Sequence, residues 1–411
     1  MRMTQPGLAA AAVTIAVAIA AGCAEAGPRD DPEADWSAVP ALAADSIASF
    51  GGSSAEGSHA LARVTGVVMS GGEPAMLAVA NASSAEVRIF DVSGAHVRSV
   101  GGEGEGPGEF RWIDGLWRIR DGIVVWDNSL DRLTILRHDG SIDVARIEVP
   151  LPPGREFSLV GAFDDGSPVI RTRRSEMHMR GARPGSYTDT LTYARLDAAT
   201  LRMDTLVRVV TAPSRFHDSG SSWGFEERIF GSEVHATVGD EALFVGSGDD
   251  HTIEAFTMDG RDDPPRIVTL PPSSRPLTTA LVPAERERRL AAIEERSAGL
   301  MVRSRDGSNT TGEVVHSVSD VVASLPASTL TPVFDRLLAE GDSVLWLRER
   351  PLQDVAQAVW LRLNLRTGEA ARLMLPPTED IVAARSPYFI IRMSDDLDAP
   401  VLIINRLRDD G

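Results

Sequence analysis

The sequence predicts an all-β fold built from repeated groups of four short strands, and two observations carry most of that reading. Past residue 60 the chain runs in short apolar-alternating stretches closed by turn residues, among them "EVRIFDVSG", "GIVVWD", "RLTILRHDG", "TIEAFTMDG" and "VWLRLNLRTG". Such runs read as strands joined by tight turns. The stretches also recur. "VRIFDVSG", "LTILRHDG" and "IEAFTMDG" end at Gly94, Gly140 and Gly260, and six residues before their first positions, Val87, Leu133 and Ile253, lie Asn81, Asp127 and Ser247. The first two copies are 46 residues apart, which suits a four-stranded propeller blade of ~40–50 residues. Weaker copies fall at Arg195–Thr200 and Arg362–Thr367, and a last unit fits "SPYFIIRMSDDLDAPVLIINRL". The expected architecture is a six-bladed β-propeller with four-stranded antiparallel blades over residues 49–411.

Taken in order, the N-terminus comes first. Leu8–Ala21 is an apolar run broken by Thr14, too short to span a bilayer and of the length of a signal-peptide core. It ends in "AAGC", and Cys23 is the single cysteine of the chain. This string resembles the bacterial lipobox. The resemblance implies a signal peptide over 1–22, lipidation of Cys23 and anchoring to the cell envelope, with the outer membrane as the expected site. One lipidated cysteine leaves none for disulfides, so a packed core must hold the fold. Residues 23–48, rich in Ala, Pro and acids, read as a flexible tether.

The formal net charge is −18, and every basic residue other than histidine is an arginine. An acidic chain of this kind excludes nucleic acid as a partner, since phosphates require a basic surface. The rhythm breaks at 271–327, an insertion between late blades. Within it "PAERERRLAAIEERSAGL" predicts a helix over 283–299, with Pro283 in the first turn, Leu290 and Ile293 on one side and Gly299 as its stop.

The second blade carries a family resemblance. "GGEGEGPGEF…DGIVVWDNSLDRLTIL" is similar to an NHL-type repeat, in which a Gly-Pro-Gly-x-Phe loop leads into a blade whose second strand ends in Asp, with Arg five positions on. Gly106, Pro107, Gly108, Phe110, Asp127 and Arg132 stand at those places. The resemblance implies a six-bladed propeller. Elsewhere the motif degrades: Asn81 and Glu86 replace the Asp and Arg in the first blade, Ser247 and Thr252 in the fourth.

The chemistry follows from what these residues offer. "GGEGEGPGEF" lacks the Lys and Ser/Thr of a phosphate loop, and its glutamates would repel an anion. It reads as a connector whose Phe110 enters the core between blades, and Asp127 as a turn residue accepting backbone N–H bonds or pairing with Arg132. The eight histidines show no metal-ligand spacing. Trp112, Trp117 and Trp126 fall within one blade and read as inter-blade packing. No nucleophile elbow is expected. The leading function is a non-catalytic scaffold that binds a protein, peptide or glycan, with no cofactor. The alternative, drawn from propeller relatives, is a lactonase- or lyase-like enzyme with a calcium or zinc ion on the axis.

Overall fold

The computed structural model describes residues 36–408 apart from 71–74, 148, 180–181, 219–222, 261–263, 272–280, 298–317 and 352–354. The expected signal peptide and Cys23 lie outside the described residues.

Alternating apolar residues and tight turns produce six four-stranded antiparallel sheets among the described residues. Sheet 1 holds Val64–Met69, Met76–Asn81, Glu86–Asp91 and His96–Gly101. Sheet 2 holds Ile113–Ile119, Gly122–Asp127, Arg132–Arg137 and Ile142–Arg146. Sheet 3 holds Arg155–Ala162, Pro168–Arg174, Thr190–Asp197 and Arg202–Val210. Sheet 4 holds Val234–Val238, Ala242–Ser247, Thr252–Thr257 and Arg266–Thr269. Sheet 5 holds Phe334–Glu340, Val344–Glu349, Ala358–Asn364 and Ala370–Leu375. Sheet 6 combines Asp380–Arg385, Tyr388–Ser394 and Pro400–Leu407 with Ala44–Gly51 from the other end of the chain.

The first strand of each sheet lies against the first strand of the next, and that of sheet 6 lies against that of sheet 1. This closed ring makes the fold a β-propeller. Apolar side chains fill the gaps between neighbouring sheets. Phe110, for example, is fully buried among Ala80, Val87, Ile113 and Val125 of sheets 1 and 2. The turn at Gly140 shows the local chemistry. Its φ of 88° is open to glycine, and Asp139 Oδ1 accepts the Ser141 N–H at 2.9 Å.

Two expectations need correction at the N-terminal side. The tether placed over 23–48 does not hold for residues 36–48. Trp36 is fully buried beside Phe244, Val268 and Leu270, and its Nε1 donates to Pro271 O at 3.3 Å. Ala44–Gly51 pairs with Pro400–Leu407 and closes sheet 6. The propeller therefore takes in residues before 49. The helix of the insertion, α1, spans Leu281–Ser297 rather than 283–299. Pro283 still falls in its first turn, where the backbone N–H has no helical partner to lose. Leu290 and Ile293 face a small core with Ile229, Phe230, Val322 and Leu325, and Glu285 pairs with Arg289 at 3.2 Å.

Candidate functional site

Because each first strand begins at one end of the ring, the loops entering the sheets and those joining second to third strands share that end. The chain spends its extra residues there. In sheet 3 the connection between second and third strands carries Gly185–Tyr187, which pairs with Ser214–Asp218, itself paired with Trp223–Glu226. These three strands form an additional sheet beside sheets 3 and 4. Helix α1 sits on the same end and braces the loop 227–233: Arg289 donates to the carbonyls of Glu227 at 3.0 Å and Arg228 at 3.1 Å. Ile229 N–H donates to Pro326 O at 2.9 Å, and Ser328 N–H to Ile229 O at 2.9 Å. Phe230 takes a φ of 55°, a conformation a bulky residue adopts only when its surroundings impose it. Its burial in the small core beneath α1 supplies that constraint.

Two cavities open on either side of this loop and share Glu233. The first, of about 320 Å³, is lined by Arg171, Arg173, Arg174 and Arg228, by Glu176, Asp189, Glu227 and Glu233, and by the rings of Tyr187 and Phe225. The second, of about 410 Å³, lies under α1 and is lined by Arg288, Arg336, Arg348 and Arg350 with His235, Glu285 and Asp335. Most of these arginines are committed. Arg173 pairs with Glu156 at 2.7 Å, Arg288 with Glu285 at 2.6 Å, and Arg348 with Asp335 at 2.8 Å and with Asp380. Arg174 donates to Thr188 O at 2.8 Å. Arg228 and Arg350 differ: among the described residues neither guanidinium has a carboxylate within ion-pair distance or a hydrogen-bonded partner.

The electrostatics mark the same place. Loss of solvation in the cleft, then the Glu233 charge, push Glu227 up to about 7, against the attraction of Arg289 and Arg350. Glu227 itself remains exposed at the rim, so water moderates the first cause while the like charge beside it persists. Burial lowers the His235 pKa, and burial together with Asp250 raises that of Asp249. A glutamate held toward its protonated form beside a second carboxylate, in a cleft that also holds uncommitted guanidinium groups, is the kind of perturbed group that clusters at functional sites.

The Glu227 proton gives a stability prediction. The folded chain keeps it to about pH 7, whereas the ordinary value is 4.5. The stability it contributes is present below 4.5 and lost as pH rises to about 7. Glu227→Gln is therefore expected to match the natural protein at pH 5 and to exceed it at pH 8. The gain is about 1 kcal/mol after allowing for solvent at the rim. Urea unfolding at the two pH values reads the difference.

The residues singled out from the sequence lie elsewhere on the loop end. Asp127 is fully buried. It accepts N–H bonds from Arg111 at 2.6 Å, Trp112 at 3.3 Å, Ser129 at 3.0 Å and Leu130 at 3.1 Å. Arg132 donates to the carbonyls of Glu105 at 2.7 Å and Gly106 at 3.3 Å, and to that of Glu109. Together they hold the "GGEGEGPGEF" loop, with Gly106 N–H bound to Glu109 Oε2 at 2.8 Å and Gly108, beyond Pro107, at a φ of 79°. Asn81 ends the second strand of sheet 1 in the same place and accepts the Ala62 N–H at 2.8 Å, while Arg88 grips Ser58 O and Ala60 O. In sheet 4 the same place holds Ser247, hydrogen-bonded to Ser232 at 2.8 Å. The cleft opens where this clamp is weakest.

The string Gly220–Ser–Ser222–Trp–Gly224 does carry the Gly-x-Ser-x-Gly spacing, contrary to the expectation of none. Ser222 lies outside the described residues. The strands on either side, Ser214–Asp218 and Trp223–Glu226, are antiparallel partners, so the flanking elements are not the strand and helix of a nucleophile elbow.

The axis offers different chemistry. A tunnel of about 290 Å³ inside the ring is lined from all six first strands, mainly by Val67, Leu116, Val160, Val238, Leu338 and Val382. At one end Arg118 bonds Asp164 at 2.9 Å and Asp240, and Arg385 lies 3.6 Å from Asp240. Those carboxylates already have cationic partners. Among the described residues no group of three or more His, Cys, Asp or Glu is placed to hold a metal ion. The donor set does not fit the axial cation of the expected alternative. The tryptophans form no platform: Trp126 is buried against Phe157, Trp117 lines the tunnel, and Trp112 lies 3.6 Å beneath the Arg63 guanidinium.

No protein-family model matches the chain, and no curated protein matches it. Solved structures do resemble it at low identity. A member of the DUF4221 family from Bacteroides vulgatus is 11% identical, with a TM-score of 0.46 over 90% of this chain and 98% of that one. Virginiamycin B lyase from Staphylococcus aureus is 12% identical, with a TM-score of 0.33 over 82% and 94%. Regucalcin, a calcium-binding protein from Agrobacterium tumefaciens, is 10% identical, with a TM-score of 0.37 over 90% and 97%. Among the described residues no helix is long and apolar enough to cross a membrane.

Proposed function

We propose that this protein is an exported, lipid-anchored binding protein of the cell envelope, a six-bladed propeller of NHL-like type that takes its ligand in the cleft on its loop end. The lipobox-like string ending at Cys23 supports the anchor. One observation carries the site: the extra sheet and α1 are both built over sheets 3 to 5, where they border two cavities that share Glu233 and contain uncommitted charge. A cleft of this kind, concave with aromatic walls and a few convergent polar groups, is the ordinary form of a ligand site. Its ligand is a protein, peptide or glycan segment small enough to enter.

A binding screen tests this. Thr188 is exposed at the cavity wall, so Thr188→Trp fills the cleft without disturbing the core. Peptides, oligosaccharides and small acids that bind the cleft are expected to raise the melting temperature of the natural protein and not that of Thr188→Trp, since a ligand stabilises only the form that binds it. Ligands that stabilise both proteins equally would place the site elsewhere.

A further inference from the structure

We infer that the cleft recognises its ligand through an oxyanion, a carboxylate or a phosphate, held by the uncommitted guanidinium groups that line its two cavities, Arg228 in the first and Arg350 in the second. The inference rests on the reading of the cleft as the ligand site and adds the chemical class. Three observations lead to it.

The first is the pattern of commitment. Across the two cavities eight arginines face six carboxylates, in a chain whose formal charge is −18. The arginines around Arg228 and Arg350 are largely taken by Glu156, Glu285, Asp335 and Asp380. Among the described residues three of the eight, Arg171, Arg228 and Arg350, lack an ion pair or a carbonyl, and Arg171 is engaged by the Tyr193 hydroxyl. A guanidinium is planar and always charged, and it offers paired N–H groups that match a carboxylate or phosphate edge.

The second is where the two residues come from. In sheets 1 and 2, Arg88 and Arg132 are used up on the carbonyls of the loop entering the sheet. Sheet 4 has Thr252 at the place of Arg132. Its entering loop instead carries Arg228, braced through its backbone by Arg289 and not held by its side chain. Arg350 follows Glu349, the last residue of the second strand of sheet 5, so it approaches the same loop from the neighbouring sheet.

The third is the set of charges that share the cavities and their rims with the two arginines. Arg228 and Arg350 both act on Asp249, and Arg350 acts on Glu227 and His235. Glu233, Asp250, Asp335 and Arg336 complete the surroundings. The carboxylates Glu227 and Asp249 are held toward their protonated forms. A protonated Glu227 donates a hydrogen bond to an incoming oxyanion and no longer repels it. Anion binding and proton uptake therefore reinforce each other, and affinity rises as pH falls through neutrality. Tyr187 and Phe225 line the neighbouring wall for an aromatic or apolar group next to the anion.

Calorimetric titration of the purified protein tests this, with N-acetyl-phenylalanine, phenyl phosphate and the uncharged N-acetyl-phenylalaninamide as probes. At least one of the two anions is expected to saturate, with a Kd ten-fold or more below that of the amide. Arg228→Gln and Arg350→Gln are each expected to weaken it ten-fold or more. Arg202→Gln, an exposed arginine away from the cleft, keeps natural affinity and controls for general charge. The order of the two anions distinguishes a carboxylate from a phosphate source. Equal binding of amide and anions, lost in Thr188→Trp, would overturn the oxyanion and leave the cleft standing. Binding by no probe, or binding indifferent to Thr188→Trp and to both arginine variants, would overturn the inference. In the second case, where binding ignores Thr188→Trp, the cleft falls with it.

Discussion

Removing residues 36–51 is expected to abolish stable folding, although on composition most of them resemble a tether. The segment closes the ring. Ala44–Gly51 forms the fourth strand of sheet 6, and Phe50 stacks on Phe90 of sheet 1 with ring centroids 4.3 Å apart. Without it Pro400–Leu407 becomes a bare edge, which invites aggregation. Trp36 adds a second attachment, at sheets 4 and 5. Trp36→Ala alone deletes a fully buried indole and should cost about 3–5 kcal/mol, a large share of a stability of about 5–15 kcal/mol. Urea unfolding of Trp36→Ala and the solubility of a chain starting at residue 52 read these effects. A chain starting at 52 that melts with the natural protein would remove the closing strand from the account.

Asp127→Ala comes next in size. The buried carboxylate is the common acceptor of four backbone N–H groups. Its loss removes the shared acceptor of all four and frees the loop that Arg132 grips. The expected cost is about 3–5 kcal/mol. Asp127→Asn retains a carbonyl acceptor and should cost less, about 1–3 kcal/mol. Asn81→Ala, at a residue that holds one N–H from the entering loop, should cost about 1–2 kcal/mol. Ser247→Ala should cost least. Unfolding midpoints that fail to follow this order would contradict the view that the clamp weakens toward sheet 4.

That graded clamp is also what the sequence made legible. Asn81, Asp127 and Ser247 share a spacing because each ends the second strand of its sheet, where a polar side chain meets the entering loop. Turn glycines and alternating apolar residues are local signals, so strands could be read one by one. Trp36 could not. Its partners Phe244 and Val268 lie more than two hundred residues away, and the Ala-, Pro- and acid-rich string around it carries no period. The cleft was hidden for a related reason. "GFEERIFGSE" reads as an irregular charged loop, and nothing local shows that Ile229 and Phe230 turn into a core with α1 while Glu227, Arg228 and Glu233 turn outward. Only the closed ring brings Arg171, Arg228 and Arg350 to neighbouring cavities. The missing Asp and Arg of the fourth repeat were the available hint: a lost structural clamp leaves room for a site.

The most direct test of the account is hydrogen exchange on the purified protein, with and without the anion that binds it best. The account predicts slowed exchange at residues 171–174, 227–233 and 350–351, with the tunnel unchanged. Protection confined to the tunnel mouth around Arg118, Asp240 and Arg385, with the cleft exchanging as before, would contradict it.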